Sequence, residues 1–155
     1  MLQEPEEEAP VQGSCLCGEV AFALEEPLSS IELCHCAKCQ KSYGAPFAAT
    51  LYAKRAAFRW LRGEDSVATW DAPLEDAPPA YRHSFCRRCG SALPLLWDEL
   101  PVVEVPVASL DGPLEARPAY QMFACQRLDW IDDASGLRWY ERGAPIAEKV
   151  LRPLL

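Results

Sequence analysis

Seven of the eight cysteines in this 155-residue chain fall into three tight clusters. The clusters read Cys15-Leu16-Cys17, Cys34-His35-Cys36-Ala37-Lys38-Cys39 and Cys86-Arg87-Arg88-Cys89. Two cysteines one residue apart in an extended segment point to the same side, and a Cys-x-x-Cys turn also brings its two sulfurs together. Thiolates arranged in this way are the ligands that a tetrahedral zinc ion prefers. One such cluster is a weak signal, but three of them together predict metal binding.

Two plainer explanations of the cysteines fit the sequence less well. A disulfide framework needs an oxidising compartment, yet the N-terminus is acidic and lacks the basic and apolar regions of a secretory signal. Buried free thiols that act as small apolar side chains would have no reason to cluster. The sequence therefore predicts a cytoplasmic protein whose thiols stay reduced.

The seven clustered thiols divide naturally into four plus three. One group shares a single hexapeptide and can hold one ion by itself: Cys34, Cys36 and Cys39. The other group comes from two distant segments: Cys15, Cys17, Cys86 and Cys89. A closed four-sulfur site is structural, whereas a three-ligand site leaves a coordination position open for chemistry. Spacing alone leaves a second pairing open, in which the first cluster joins Cys34 and Cys36 while Cys39 joins the last cluster.

Charge and hydropathy exclude several kinds of partner. Lys and Arg total 15 and Asp and Glu total 23, so the formal net charge is −8. An acidic chain is a poor match for a nucleic-acid backbone or an anionic bilayer, and no apolar run approaches the roughly 18 residues of a membrane span. We expect no nucleic acid and no membrane as partners, and the sequence leaves homo-oligomerisation open.

The elements that must position the clusters are mostly short strands. Apolar or alternating runs between turn signals predict strands at Val20–Leu24, Ile31–His35, Phe47–Tyr52, Phe58–Leu61, Ser66–Trp70, Tyr81–Phe85, Val102–Pro106 and Tyr120–Ala124. A short helix is predicted at Ala37–Tyr43, directly after Cys36. Residues 1–11 form an acidic tail that we expect to be mobile, and residues 12–155 are expected to form a single mostly-β domain. A proline-rich surface loop is predicted at Ala72–Ala80.

Four segments carry a family resemblance, and their order, spacing and flanking glycines all contribute to it. The segments are Gly13-Ser14-Cys15-Leu16-Cys17-Gly18-Glu19-Val20, Cys34-His35-Cys36-Ala37-Lys38-Cys39, Gly44-Ala45-Pro46-Phe47 and Phe85-Cys86-Arg87-Arg88-Cys89-Gly90. They resemble the glutathione-dependent formaldehyde-activating (GFA) enzyme family, which also includes centromere protein V. The resemblance spans nearly the whole chain, from about Gly13 to Pro145.

The resemblance implies a β-tent fold of several small antiparallel sheets around zinc-binding cysteine clusters. It implies a structural zinc held by Cys15, Cys17, Cys86 and Cys89. It implies a catalytic zinc held by Cys34, Cys36 and Cys39. The implied activity is that of a carbon–sulfur lyase-type enzyme that joins glutathione to formaldehyde as S-(hydroxymethyl)glutathione. The implied cofactors are two Zn²⁺ ions per chain, with glutathione as co-substrate, and the implied partners are a small-molecule thiol and an aldehyde.

Two positions depart from the family pattern. Gln121 stands where many members carry a histidine, and Cys125 stands where a small polar residue is usual. These changes bear on the substrate more than on the fold. For Cys125 the alternatives are a buried thiol, a fourth ligand of the three-cysteine site, or a redox partner of that site.

Other side chains near the clusters each have two interpretations. If its segment is extended, His35 points away from the ligands. Its two interpretations are a packed side chain and a proton shuttle beside the metal. Tyr43 and Phe47 can either pack in the core or line a pocket. The basic side chains near the clusters can attract the carboxylates of glutathione or be plain surface groups: Lys38, Lys41, Arg87 and Arg88.

The open three-cysteine site favours an enzyme over a binding module. A thiolate on zinc stays ionised near pH 7, so a substrate thiol could fill the open position and add to a carbonyl carbon. Three thiolate ligands donate much charge to the metal, which disfavours hydrolysis by an activated water. The alternative is a non-catalytic, zinc-stabilised binding or chaperone-like module. A third and weaker hypothesis is metal or redox buffering by the cysteine clusters.

Overall fold

The computed structural model describes residues 9–25, 28–73, 81–132 and 135–145. Its strands are β1 (Val11–Ser14), β2 (Ala21–Leu24), β3 (Ile31–Cys34), β4 (Ala48–Lys54), β5 (Phe58–Arg62), β6 (Val67–Asp71), β7 (Arg82–Cys86), β8 (Leu95–Leu96), β9 (Val102–Pro106), β10 (Leu110–Asp111), β11 (Pro118–Met122) and β12 (Arg138–Tyr140). The helix is α1 (Ala37–Tyr43), and single 3₁₀ turns lie at Arg55–Ala57, Glu64–Ser66, Val107–Ser109 and Ala124–Gln126. The predicted mostly-β class is confirmed.

The strands form three sheets. One has the order β10-β1-β2-β5, the second has the order β12-β11-β3-β4-β9-β8, and β6 and β7 form a separate ribbon. Most pairs are antiparallel, but β11 runs parallel to both β3 and β12, which the expectation of antiparallel sheets did not include. Parallel pairing needs a long crossover connection, and the chain between Cys34 and Pro118 supplies one for β3 and β11.

The six-stranded sheet separates the main core from the region of the cysteine-rich helix. On its core face, Leu51 and Val105 pack with Phe22 and Leu24 of the four-stranded sheet. Successive side chains of a strand alternate between faces, so Cys34 lies on the opposite face. We call this second surface the site face.

A buried carboxylate joins three strands on the site face. Glu32 is 3% exposed and accepts hydrogen bonds from the Tyr120 hydroxyl at 2.7 Å, the Tyr52 hydroxyl at 3.2 Å and the Thr50 hydroxyl at 3.3 Å. A buried charge is costly unless hydrogen bonds compensate it. Since Glu32 lies two residues before Cys34, these bonds fix the strand end that carries the thiol.

Capping residues in the sequence account for both ends of helix α1. Cys36 is its N-cap, with its Sγ accepting a hydrogen bond from the Cys39 amide at 3.4 Å. Gly44 follows the last turn at φ 58°, and its amide donates to the Gln40 carbonyl. Left-handed backbone is freely available to glycine, so the helix ends at Tyr43 as the sequence predicts.

Each predicted strand overlaps an observed one, while four short strands escaped prediction: β1, β8, β10 and β12. They have two to four residues, too few for a hydrophobic period to emerge. Val11 opens β1 although the sequence assigned it to the tail, because it pairs with Leu24 of β2. Residues 1–8 of that tail, and residues 74–80 of the predicted proline-rich loop, lie outside the described residues.

None of the helices in the described ranges has the length and apolar character that crossing a bilayer requires.

Tight packing at β1 predicts that Gly13→Ala destabilises the fold. A Cβ at Gly13 would lie 2.6 Å from the Ser109 carbonyl oxygen and closer still to the Phe22 ring. Overpacking of this kind costs about 1–3 kcal/mol, which we expect as a lower free energy of unfolding in urea. The matched control is Gly143→Ala, whose Cβ would meet nothing nearer than the Phe123 ring at 3.8 Å. Equal unfolding free energies for the two variants would contradict the packing argument.

Candidate metal centres

Four thiols from two distant parts of the chain converge on one point: Cys15, Cys17, Cys86 and Cys89. Their Sγ atoms all lie within 4.8 Å of one another. The sulfurs of Cys15 and Cys17 are 3.5 Å apart, and those of Cys17 and Cys86 are 3.9 Å apart. Sulfurs bound tetrahedrally to one zinc ion would be separated by about 3.8 Å, given a zinc–sulfur bond of about 2.3 Å. The spacing of this four-thiol group therefore fits a tetrahedral ion.

Two glycine-containing turns carry the four-thiol group. In the turn after β1, the Gly18 amide donates to the Cys15 carbonyl at 2.9 Å. In the turn after β7, the Gly90 amide donates to the Cys86 carbonyl at 2.8 Å. The two turns are joined because the Leu16 amide, which belongs to the first, donates to the Ser91 hydroxyl beside the second at 3.0 Å. This contact brings the two pairs of thiols together across the fold.

Hydrogen-bond donors also surround the sulfurs of this group. The Val20 amide donates to Cys15 Sγ at 3.3 Å, and the Ser91 hydroxyl lies 3.2 Å from Cys89 Sγ. Hydrogen bonds from the Ser91 hydroxyl and amide lower the pKa of the Cys89 thiol to about 5. Donors to sulfur favour the thiolate, which is the form that binds metal.

The other three clustered thiols meet at the junction of β3 and α1: Cys34, Cys36 and Cys39. Their Sγ atoms also lie within 4.8 Å of one another. Cys34 is buried at the end of β3, whereas Cys36 and Cys39 are half-buried at the start of α1. This three-thiol group is therefore partly open to solvent.

Within the three-thiol group the sulfurs act on one another. Hydrogen bonds from the thiols of Cys34 and Cys39 lower the pKa of Cys36 to about 2. Hydrogen bonds with Cys34 and Cys36 raise the pKa of the Cys39 thiol above its ordinary value. Like charges this close disfavour full ionisation, so a cation would be needed to hold all three as thiolates.

Two glutamines fix the segment that carries the three-thiol group. Gln40 Nε2 donates to the His35 carbonyl at 2.7 Å and to the Gln126 carbonyl at 3.0 Å. Gln126 Oε1 in turn accepts from the Ala37 amide at 2.8 Å. The start of α1 is therefore tied to the 3₁₀ turn at Ala124–Gln126. Sequence analysis missed both glutamines, because single polar residues far apart in the chain form no recognisable pattern.

His35 faces away from the three thiols and is fully buried. Its ring lies 5.1 Å from the Phe47 ring and 4.9 Å from the Trp139 ring, between centroids. Its Nε2 atom is 3.0 Å from Oε1 of Gln121. The structure thus shows the packing alternative for His35. Phe47 is half-buried, packs against that ring and does not line the cavity beside Cys39.

Cys125 lies apart from both thiol groups. It is exposed in the 3₁₀ turn at Ala124–Gln126, which contradicts the buried-thiol interpretation, because this turn lies at the surface. Among the described residues it does not belong to either set of mutually close thiols. Of the basic side chains, Lys41, Arg87 and Arg88 are exposed, and Arg88 pairs with Glu19 at 3.3 Å.

A small cavity opens beside the three-thiol group. Cys39 and Tyr43 of α1 line one side of it, and Tyr81 lines another. The Tyr81 hydroxyl is hydrogen-bonded to the Ser42 hydroxyl. Burial raises the pKa of both tyrosines above the ordinary value, so their hydroxyls remain neutral. The sequence left two alternatives for Tyr43, core packing and the lining of a pocket. In the structure Tyr43 lines this cavity.

All eight cysteines lie in the described ranges and all are free thiols. The structure therefore contains no disulfide framework, and it groups the thiols as four plus three rather than in the second pairing that spacing left open. The donor sets suit zinc, since sulfur ligands in tetrahedral arrangement are typical of zinc sites. Both groups could hold a metal ion.

This chain is similar to known proteins both in sequence and in fold. The profile of the family described as "Glutathione-dependent formaldehyde-activating enzyme" matches residues 10–126. A Halomonas elongata protein, provisionally named as such an enzyme, is 29% identical over 126 residues, which are 79% of this chain and 80% of that protein. The crystal structure of a Rhodobacter sphaeroides protein has 25% identity and a TM-score of 0.52, covering 70% of this chain and 99% of that one.

Two separate thiol groups predict two separable metal sites. Zinc-loaded protein should contain two ions per chain by elemental mass spectrometry. Cys86→Ser should lose one ion and much of the stability, since structural zinc contributes on the order of 10 kcal/mol to small domains. Cys36→Ser should lose the other ion and stay folded, and the control Cys125→Ser should keep both. Loss of the same ion in the first two variants would refute the division.

Proposed function

Because the chain belongs to the glutathione-dependent formaldehyde-activating enzyme family, we propose that it is a zinc-dependent enzyme of the carbon–sulfur lyase type. It acts on a thiol such as glutathione and a small aldehyde such as formaldehyde, either joining them or releasing the aldehyde from their adduct. The observation that carries this proposal is the three-thiol group, which is partly open and has no fourth cysteine near it among the described residues.

The four-thiol group serves as the structural site in this proposal. Four cysteine ligands complete a tetrahedral zinc shell and leave no position for a substrate. The group ties the turn after β1 to the turn after β7, and both Cys15 and Cys86 belong to the main apolar core. Metal bound there would contribute directly to the free energy of folding.

The three-thiol group serves as the catalytic site, with Cys34, Cys36 and Cys39 as ligands. A zinc ion in it would accept a substrate thiol as fourth ligand and favour its ionised form near pH 7. The fold holds the three sulfurs in fixed positions: Cys34 ends β3, Cys36 is the N-cap of α1 and Cys39 lies in its first turn. Hydrogen bonds from Gln40 and to Gln126 fix the segment that carries these cysteines. The partial exposure of Cys36 and Cys39 leaves a side from which substrate can approach.

The reaction forms one carbon–sulfur bond. The substrate thiol gives up its proton, its sulfur attacks the carbonyl carbon, and the carbonyl oxygen gains a proton. The product with formaldehyde is an S-hydroxymethyl thiol, and the reverse reaction breaks the same bond. Lys38 and Lys41 of α1 supply positive charge beside the ligands that the carboxylates of glutathione can approach. We place the reaction in the cytoplasm, where reducing conditions keep the ligand thiols unoxidised.

Cobalt-substituted protein tests whether a thiol reaches the catalytic metal, because the visible spectrum of cobalt reports its ligands. Adding glutathione should change the spectrum, and S-methylglutathione, which lacks a free thiol, should leave it unchanged. Cys36→Ser should abolish the response because one ligand of the responding ion is lost. An unaltered spectrum at saturating glutathione would count against the proposal and favour a binding module in which both ions are structural.

A further inference from the structure

The cavity next to Cys39 is small and has walls of two kinds. Its volume is about 20 Å³, where a single ordered water needs about 10–15 Å³. Leu93, Leu95 and Pro106 form apolar walls, while the polar lining includes Tyr43, Tyr81, Arg82 and Glu104. The cavity therefore suits a molecule of two or three non-hydrogen atoms that has one polar end.

The cavity lies directly beside the three-thiol group, where a substrate thiol would bind in the proposed function. Cys39 and Tyr43 are four residues apart in α1, so their side chains lie on the same face of the helix. Both line the cavity, and Cys39 belongs to the three-thiol group. A small molecule in the cavity would thus lie beside both Tyr43 and a cysteine of the three-thiol group.

The two tyrosine hydroxyls differ in what they already bind. The Tyr81 hydroxyl is hydrogen-bonded to Ser42, whose hydroxyl also donates to the Cys39 carbonyl at 3.3 Å. The Tyr43 hydroxyl makes no hydrogen bond within the described part of the chain. The Tyr43 ring is held by an edge contact with the His83 ring, at 5.4 Å between centroids. Tyr43 therefore presents a fixed phenol with its donor available to a ligand.

We propose that this cavity is the carbonyl pocket of the enzyme, and that Tyr43 is a catalytic residue that donates a hydrogen bond to the carbonyl oxygen. This inference rests on the function proposed above. As the substrate sulfur attacks the carbonyl carbon, the carbon–sulfur bond forms and the carbonyl π electrons move to oxygen. The Tyr43 hydroxyl stabilises that developing charge and keeps its own proton. The proton lost by the thiol ends on the oxygen, so the step needs no further reactant.

The same cavity determines which aldehydes react. Formaldehyde has two non-hydrogen atoms and fits a space of about 20 Å³, whereas propanal has four and exceeds it. We expect the zinc-loaded enzyme to prefer formaldehyde over propanal by about 100-fold in kcat/KM, the order of magnitude for excluding extra carbons from a small pocket.

Tyr43→Phe tests the hydrogen bond, because it removes only the hydroxyl. In zinc-loaded protein, kcat/KM for adduct formation should fall roughly 100-fold, as when one donor to a developing oxyanion is removed. Metal content and the cobalt response to glutathione should match the wild type, since the thiol site is intact. The matched control Tyr140→Phe removes a hydroxyl from β12, where the ring contacts Tyr120 and Arg138 and does not border the cavity, and its kcat/KM should stay within twofold of the wild type.

A binding measurement supplies a readout independent of turnover. Formamide is an unreactive carbonyl compound of three non-hydrogen atoms, and its binding can be followed by the amide NMR shifts of Tyr43 and Gly44. Tyr43→Phe should weaken formamide binding about 2- to 10-fold, the range for one net hydrogen bond. The bulkier N,N-dimethylformamide should bind neither protein.

The two proposals can fail separately. If the wild type forms the adduct and Tyr43→Phe forms it equally fast, or binds formamide equally well, the role of Tyr43 is wrong and the proposed function stands. If wild-type protein shows neither adduct formation nor a cobalt response to glutathione, the proposed function is wrong.

Discussion

The close approach of sulfur atoms is the constraint on which the rest of this structure depends. Within each group the thiols lie within 4.8 Å of one another. Two thiolates about 4 Å apart repel by about 4 kcal/mol at an effective dielectric constant near 20. Such groups are stable in the ionised form only when a cation lies among them. The fold must therefore bring together thiols that cannot all ionise until metal binds, and its turns, caps and hydrogen bonds hold them in place.

The two groups meet this constraint in different ways. The four-thiol group joins two turns that are far apart in the chain, and its Cys15 and Cys86 are part of the main core. The three-thiol group is local, so it can form without a distant partner, but its orientation depends on Gln40 and Gln126. A group of four thiols can complete a tetrahedral shell around one ion, whereas a group of three leaves one coordination position open.

The six-stranded sheet separates the main core from the surface that carries the three-thiol group. Its core face carries Leu51 and Val105, which are buried completely. Its site face carries Cys34 and the hydrogen-bonded Glu32, and Glu104 of β9 lies at the cavity beside Cys39. Because strand side chains alternate between faces, a single strand can contribute to a dry core and to a chemical site at once. His35 illustrates the rule, since it lies next to two thiols in sequence yet packs among aromatic rings on the other side.

Much of this could be predicted from the sequence, because the relevant signals are local. Cysteine spacing marks seven thiols as candidate metal ligands, alternating apolar residues predict strands, and Gly44 after Tyr43 predicts where the helix ends. Other features required the tertiary structure, because they join residues that carry no signal alone. Examples are the parallel pairing of β11 with β3, the clamp from Gln126 to Ala37 and the exposure of Cys125. The sequence by itself determined the seven clustered thiols and most of the helices and strands. Long-range packing decided which thiols meet, which face they share and what borders them, since those contacts exist only after distant segments have come together.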